Sequence, residues 1–316
     1  MTLKEKVLSL LGYFFKPKND GKGLVCLQIN QEGLSIILVR IKPSLQILNC
    51  QYFSGDLETQ QNDLSSFVTT NQLQNTDCYG VISLEDYRLI LIEKPKVAEN
   101  EMGESIKWLV KDLIDFPIEE AVIDFFPAPS RAGQSAKIYA VVTRLKWLNQ
   151  VADIIAKAGL NLKNLNIAAL ALRNIFSSLH IIGNSAVFLM RDKDQYYILV
   201  VKDQLIYLER KLELSSQNEN DTQMFEQFCN ELVAELQHSI DFYQNRDKTI
   251  PIKIFLDPIL GKNRKLIQLI ETALGLQVEA LDTSKLLPNT IPLDNKIKCL
   301  SVIGEALGLE SSTRIK

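Results

Sequence analysis

Two stretches of this chain have the form of a strand running into a turn that could close on a phosphate, and both carry side chains unsuited to it. Val25-Cys26-Leu27-Gln28-Ile29-Asn30, a turn at Gln31-Glu32-Gly33 and Leu34-Ser35-Ile36-Ile37-Leu38-Val39 form a predicted β-hairpin. A hairpin that grips a phosphate needs small residues in its turn, so that backbone N–H groups reach the oxygens, and a carboxylate in its first strand to organise Mg²⁺. Here the strand offers Gln28, the turn begins at Asn30, and Glu32 adds a charge that repels phosphate. The second stretch, Ala186-Val187-Phe188-Leu189-Met190, is an apolar strand that runs into Arg191-Asp192-Lys193-Asp194, not an Asp-x-Gly turn. These positions are expected to support no catalysis and no metal.

The elements that must position them follow from length and composition. A chain of 316 residues suits two lobes better than one core. With 46% apolar and 23% charged residues it is an ordinary globular composition, and a net charge of −3 gives a nucleic-acid partner no electrostatic support. The five cysteines (Cys26, Cys50, Cys78, Cys229, Cys299) are scattered with no C-x-x-C pair, which argues for reduced thiols in a cytoplasmic protein. Two distant histidines, His180 and His238, supply little for metal or triad chemistry. No apolar run is long enough to span a bilayer. In residues 1–20, Leu3, Val7, Leu10, Leu11 and Phe14 fall on one helical stripe flanked by Lys4, Lys6, Lys16 and Lys18. That segment is either a basic amphipathic helix for peripheral membrane association or a helix that caps the domain.

Along the chain, three strand-like segments, a helix, a strand, a helix, a strand and a helix occur twice. The first copy spans 21–182 and the second 183–316, and the first carries an inserted α+β unit at about 85–161. In the second copy a long helix keeps Phe225, Phe228, Cys229, Leu232, Val233, Leu236, Ile240 and Tyr243 at helical spacing. Strands alternating with helices predict an α/β class, and the repeat predicts a duplicated fold of two lobes.

Ser83-Leu84-Glu85-Asp86-Tyr87-Arg88-Leu89 and Trp108-Leu109-Val110-Lys111-Asp112-Leu113-Ile114-Asp115-Phe116-Pro117 resemble segments of the MshI-type mannose-sensitive haemagglutinin pilus biogenesis proteins, relatives of PilM in type IV pilus systems. So do Glu235-Leu236-Gln237-His238-Ser239-Ile240-Asp241-Phe242-Tyr243 and Cys299-Leu300-Ser301-Val302-Ile303-Gly304-Glu305-Ala306-Leu307, in the same order over nearly the whole chain. The resemblance implies an actin-like (ribonuclease-H-type) two-lobed fold with the α+β insert in the first lobe. It implies a cytoplasmic protein at the inner face of the inner membrane, where it grips the N-terminal tail of a PilN-like single-span protein. Pilus motor or platform proteins are further implied partners. PilM relatives bind ATP between the lobes; this chain departs from them at Gln28, Asn30, Arg191-Asp192-Lys193 and at Asp257-Pro258, where Gly-Gly is expected. Gln28, Asn30, Arg191 and Asp192 are therefore taken as degenerate positions of a nucleotide cleft, and no ATP is expected as a cofactor.

Other constellations are weaker. Glu235 and Asp241 lie off the apolar stripe of the long helix, where a glutamate can meet a ribose in actin-like ATPases, but a solvated charged face is the ordinary reading. His238 lacks a partner for metal binding. Gly261-Lys262-Asn263-Arg264-Lys265 opens a helix but lacks P-loop spacing. Trp108 stands out. The expected buried stripe of its helix is Met102, Ile106, Leu109, Val110 and Leu113, and Trp108 points about 135° away from it. It shares a charged face with Glu104, Lys111, Asp112 and Asp115, a placement that suits an interface anchor. Folding of Phe116-Pro117 over it is the alternative. Trp108, Lys111, Asp112 and Phe116 are the partner-binding candidates.

Three functions remain: a non-catalytic assembly scaffold, an active ATPase or sugar kinase of the same superfold, and a peripheral membrane protein held by its first helix. The missing phosphate residues favour the first. A peptide ordered on binding needs apolar anchors and backbone pairing, so its affinity is expected to depend only modestly on salt.

Overall fold

The computed structural model describes residues 23–41, 44–131, 133, 135–179, 185–192, 195–214, 222–251, 253–286 and 291–314. The amphipathic segment 1–20, His180 and Lys193-Asp194 lie outside them. The described chain forms two compact units.

In the first unit, β1 (Leu24–Ile29) and β2 (Gly33–Arg40) make the expected hairpin, with Gln28 opposite Ser35. All of β1 and all but the last residue of β2 are buried, which is why both are continuous apolar runs and not alternating ones. Next come β3 (Gln46–Ser54) and α1 (Leu57–Thr70), whose N-terminus is capped by Asp56 through its carboxylate on Thr59 N at 2.9 Å. β4 (Asp77–Ile82) then pairs parallel to β1.

Here the chain leaves for the insert: β5 (Tyr87–Glu93), α2 (Met102–Val110), β6 (Ala121–Pro127) and β7 (Lys137–Arg144). Its antiparallel sheet runs β5-β7-β6, and Met102, Ile106 and Val110 of α2 pack on Ile138, Ala140 and Val142 of β7. The chain returns through α3 (Leu145–Lys157), β8 (Asn161–Ile167) and α4 (Ala168–Ser178). Gly159, with φ +82°, stops α3 as its sequence position predicted. The first sheet is thus β3-β2-β1-β4-β8.

Two expectations need correction here. The insert was placed at about 85–161, but α3 packs on α1 and β8, so the separate sheet ends at Arg144 and α3 completes the lobe. On α2, Leu109 and Leu113 are exposed, not buried. The regular helix stops at Val110 and a 3-10 turn follows, so only the i, i+4, i+8 series of Met102, Ile106 and Val110 stays on the sheet.

The second unit repeats the topology. β9 (Ala186–Asp192), β10 (Gln195–Lys202), β11 (Leu205–Leu212), α5 (Thr222–Asp247), β12 (Lys253–Leu256), α6 (Arg264–Leu274) and β13 (Gln277–Ala280) form a sheet in the order β11-β10-β9-β12-β13. Parallel and antiparallel pairings match those of the first sheet one for one. The stripe of α5 buries Phe228, Cys229, Leu232, Leu236, Ile240 and Tyr243 in this core, each contributing about 1.5–3 kcal/mol for the larger side chains. At its C-terminal end Asp247 accepts from Lys202 Nζ (2.6 Å), Tyr207 Oη (3.0 Å) and Tyr243 Oη (2.9 Å), tying α5 to β10 and β11.

The closing helices α7 (Leu293–Lys298) and α8 (Leu300–Arg314) correct a third expectation. Chain order placed them in the second copy, but α8 lies over β1, β2 and β4, burying Val302, Ile303 and Ala306 in the first unit. Its apolar residues say that a helix is buried; they do not say on which sheet.

Candidate functional site

The turn after β1 spends its tip donors on itself. Asn30 Oδ1 accepts from Glu32 N (2.9 Å) and Gly33 N (3.0 Å), so the two N–H groups at the tip of the hairpin point at a side chain of the same turn. Gln60 of α1, almost fully buried, donates from Nε2 to Asn30 O (2.9 Å) and Gly55 O (2.7 Å), holding the turn from behind. Gln28, where a carboxylate would organise a metal, accepts from Ser301 Oγ of α8 at 2.5 Å and is itself buried. Ser35 Oγ donates to Lys298 O (2.8 Å), and the Lys298 ammonium sits 4.0 Å from the Glu32 carboxylate. Gln28, Asn30 and Ser35 thus each bond within the protein at this turn.

In the second unit the backbone at the end of β9 is held in another way. Asp257, 1% exposed and directly after β12, accepts from Arg191 N (2.7 Å) at the end of β9. It also accepts from Ile259 N (2.7 Å) and Leu260 N (3.0 Å). Its carboxylate thus takes one donor at the end of β9 and two in the turn after β12. Burial lifts its pKa above the ordinary aspartate value, and the N–H groups of Leu260, Arg191 and Ile259 pull it back down. The guanidinium of Arg191 lies 5.8 Å from the Tyr196 ring centre, over that ring, and Asp192 pairs with Gln195 in the β9–β10 ladder. The Asp-Pro dipeptide was a legible turn signal, but its bond to Arg191 spans 66 residues and had none.

Glu235 does not lie on a solvated face. It pairs with Arg210 of β11 at 2.5 Å and is half-buried, while Asp241 accepts from Gln237 Nε2 at 2.7 Å on the surface.

On the insert, Trp108 is 69% exposed, and Lys111 Nζ stands 4.5 Å over its ring. Leu109, Leu113 and Asp112 are exposed as well. Phe116 does not fold over Trp108. It lies under the guanidinium of Arg144, 4.1 Å from its ring centre, and lines a pocket of about 160 Å³ where the insert meets the lobe. Arg88, Asp115, Thr143, Arg144 and, from α3, Trp147 share that lining. Arg88 and Arg144 each approach Asp115 at 3.9 Å, longer than a good hydrogen bond, so both guanidiniums keep donors for a ligand. The volume suits one benzene-sized group, since a cavity of roughly 150 Å³ binds benzene. Sequence reasoning found Phe116 but missed Arg88, Arg144 and Trp147, which only the tertiary structure brings to it.

No family model and no curated protein matches this chain. Solved structures do. PilM in a PilM–PilN type IV pilus biogenesis complex superposes with a TM-score of 0.70 at 17% identity, covering 92% of this chain and 98% of the other. A protein of actin-like ATPase fold and unknown function from Bacteroides thetaiotaomicron gives 0.53 at 10% identity, covering 88% and 96%. The cytoplasmic domain of EpsL, an inner-membrane component of the type II secretion system of Vibrio cholerae, gives 0.49 at 12% identity, covering 74% and 81%. Two sheets of one topology, a small insert in the first lobe and the first two superpositions together establish that the chain has the actin-like fold.

Proposed function

We propose that the protein is a non-catalytic scaffold of type IV, MSHA-type pilus biogenesis. It works at the cytoplasmic face of the inner membrane and holds the N-terminal cytoplasmic tail of a PilN-like single-span protein. The observation that carries this reading is the internal use of both phosphate turns, by Asn30 in the first unit and Asp257 in the second. Phosphoryl transfer depends on N–H donors and Mg²⁺ held ready for the phosphates, and the N–H groups of Glu32, Gly33 and Arg191 are already bonded within the chain. The likeness to PilM, the partner in that complex, and the pocket at the junction of insert and lobe support the peptide-holding half. Among the described residues, no helix is long and apolar enough to cross a membrane. The other reading, an ATPase of the same machinery, rests on the fold.

Purified protein is expected to show no magnesium-dependent ATP turnover and to carry no nucleotide by native mass spectrometry. Turnover abolished by changes at Gln28 or Asn30 but not elsewhere would decide for the ATPase.

The partner half is tested with the synthetic N-terminal tail of the PilN-like protein. Phe116→Ala and Trp108→Ala are each expected to weaken binding by about tenfold or more, roughly 1.4 kcal/mol. Trp108→Ala is expected to leave stability within about 0.5 kcal/mol because the ring is mostly in solvent. Affinity is expected to change less than about tenfold between low and high salt. No binding by wild-type protein, or a collapse of affinity in salt, would defeat this account.

A further inference from the structure

The closing helix carries a buried acid that the scaffold reading does not use. Glu305 of α8 is 3% exposed, and its Oε2 accepts from Asn166 Nδ2 at the end of β8 (2.6 Å). Around it stand Cys26 of β1, Tyr79 of β4 and Arg173 of α4. Arg173 turns its Nη2 to Asn174 Oδ1 (3.4 Å), and among the described residues no cation pairs with the carboxyl at ion-pair distance. One turn earlier Ser301 bonds Gln28 of β1, and Gly304 O accepts from Asn174 Nδ2 of α4 (3.0 Å). Glu305 therefore sits at the meeting point of β1, β8, α4 and α8. Within α4 the chain passes from the first unit to the second, between Ile175 and Phe176.

We propose that Glu305 is a protonation latch on the closing helix: with the carboxyl neutral, α8 is locked to β1, β8 and α4, and loss of the proton loosens the lock. The physical ground is that an unpaired charge in a dry site is costly, whereas a neutral acid bonded to an amide is not. Burial pushes the group up from 4.5 to about 7, and Asn166 and Arg173 only partly offset it. The sign follows. Because the folded value lies above the unfolded one, the folded protein holds more protons in between. The stability is then complete below about 4.5 and is lost as pH rises through about 7. The loss for a gap of that size is on the order of a few hundred-fold in the opening equilibrium.

Native-state hydrogen exchange of α8 and α4, corrected for intrinsic rates, tests this on the full chain at about pH 5 and about pH 8.5. Wild-type protection is expected to fall by roughly 75-fold over that interval. Glu305→Gln, which can still accept from Asn166 but cannot ionise, is expected to show no such fall. Equal pH slopes in the two proteins overturn the latch. If the variant does not fold, the side-chain carboxyl of Glu305 in wild-type protein is titrated by carbon NMR. A midpoint near 7 supports the proposal, and an ordinary glutamate midpoint overturns it.

Discussion

Replacement of Asp257 by alanine is expected to destabilise the second unit by about 3–5 kcal/mol. The carboxylate is the acceptor for three backbone donors, from Arg191, Ile259 and Leu260, and it joins the end of β9 to the turn after β12. Alanine leaves those donors without their partner in a place where Asp257 itself is 1% exposed. Each orphaned donor costs about 1–3 kcal/mol, reduced where water can reach it. Asp257→Asn is expected to lose about half as much. Its amide oxygen can serve Ile259 and Leu260, but its NH₂ then meets the N–H of Arg191. Urea denaturation followed by a probe in the second unit measures both. If alanine costs under about 1 kcal/mol, the carboxylate does not hold this turn.

Gly304→Ala is expected to lose about 2–4 kcal/mol, and Gly308→Ala clearly less, although both glycines face α4. A Cβ on Gly304 would lie 2.1 Å from Ala171 O and 2.6 Å from Ala171 C, so the two helix backbones must move apart. A Cβ on Gly308 would meet the Asn174 side chain at 2.3 Å, and a side chain can turn away. Alanine also favours a helix over glycine by about 1 kcal/mol, which offsets the smaller clash but not the larger. Thermal or urea denaturation of the two variants gives the comparison. Equal losses would mean that α8 and α4 are not in backbone contact. A large loss at Gly304 alone places the constraint where Glu305 also acts.

The strands were legible because their signal is local. Val25 to Ile29 and Ala186 to Met190 are apolar runs bounded by turn residues, and a buried central strand leaves little choice of side chain. The long stripe of α5 and the exposure of Trp108 follow the same rule, since helical periodicity fixes which residues share a face. The departures at Gln28 and Arg191 were readable too, because a missing carboxylate or glycine is visible in one residue.

Partners distant in sequence were not readable. An apolar stripe states that a face is covered without naming the cover, so residues 300–314 were assigned to the wrong unit and α3 to the insert. Leu113 kept the period of a buried stripe, but the regular helix ended at Val110, before it, and Leu109 lies off the Met102, Ile106 and Val110 series that packs on the sheet. Glu235 finds Arg210 on a neighbouring strand, Phe116 finds Arg144 and Trp147, and Asp257 finds the backbone of Arg191. Periodicity and turn chemistry act over a few residues and belong to the sequence. Which donor meets which acceptor depends on how sheets and helices stack, and that is set by the packing of the whole chain.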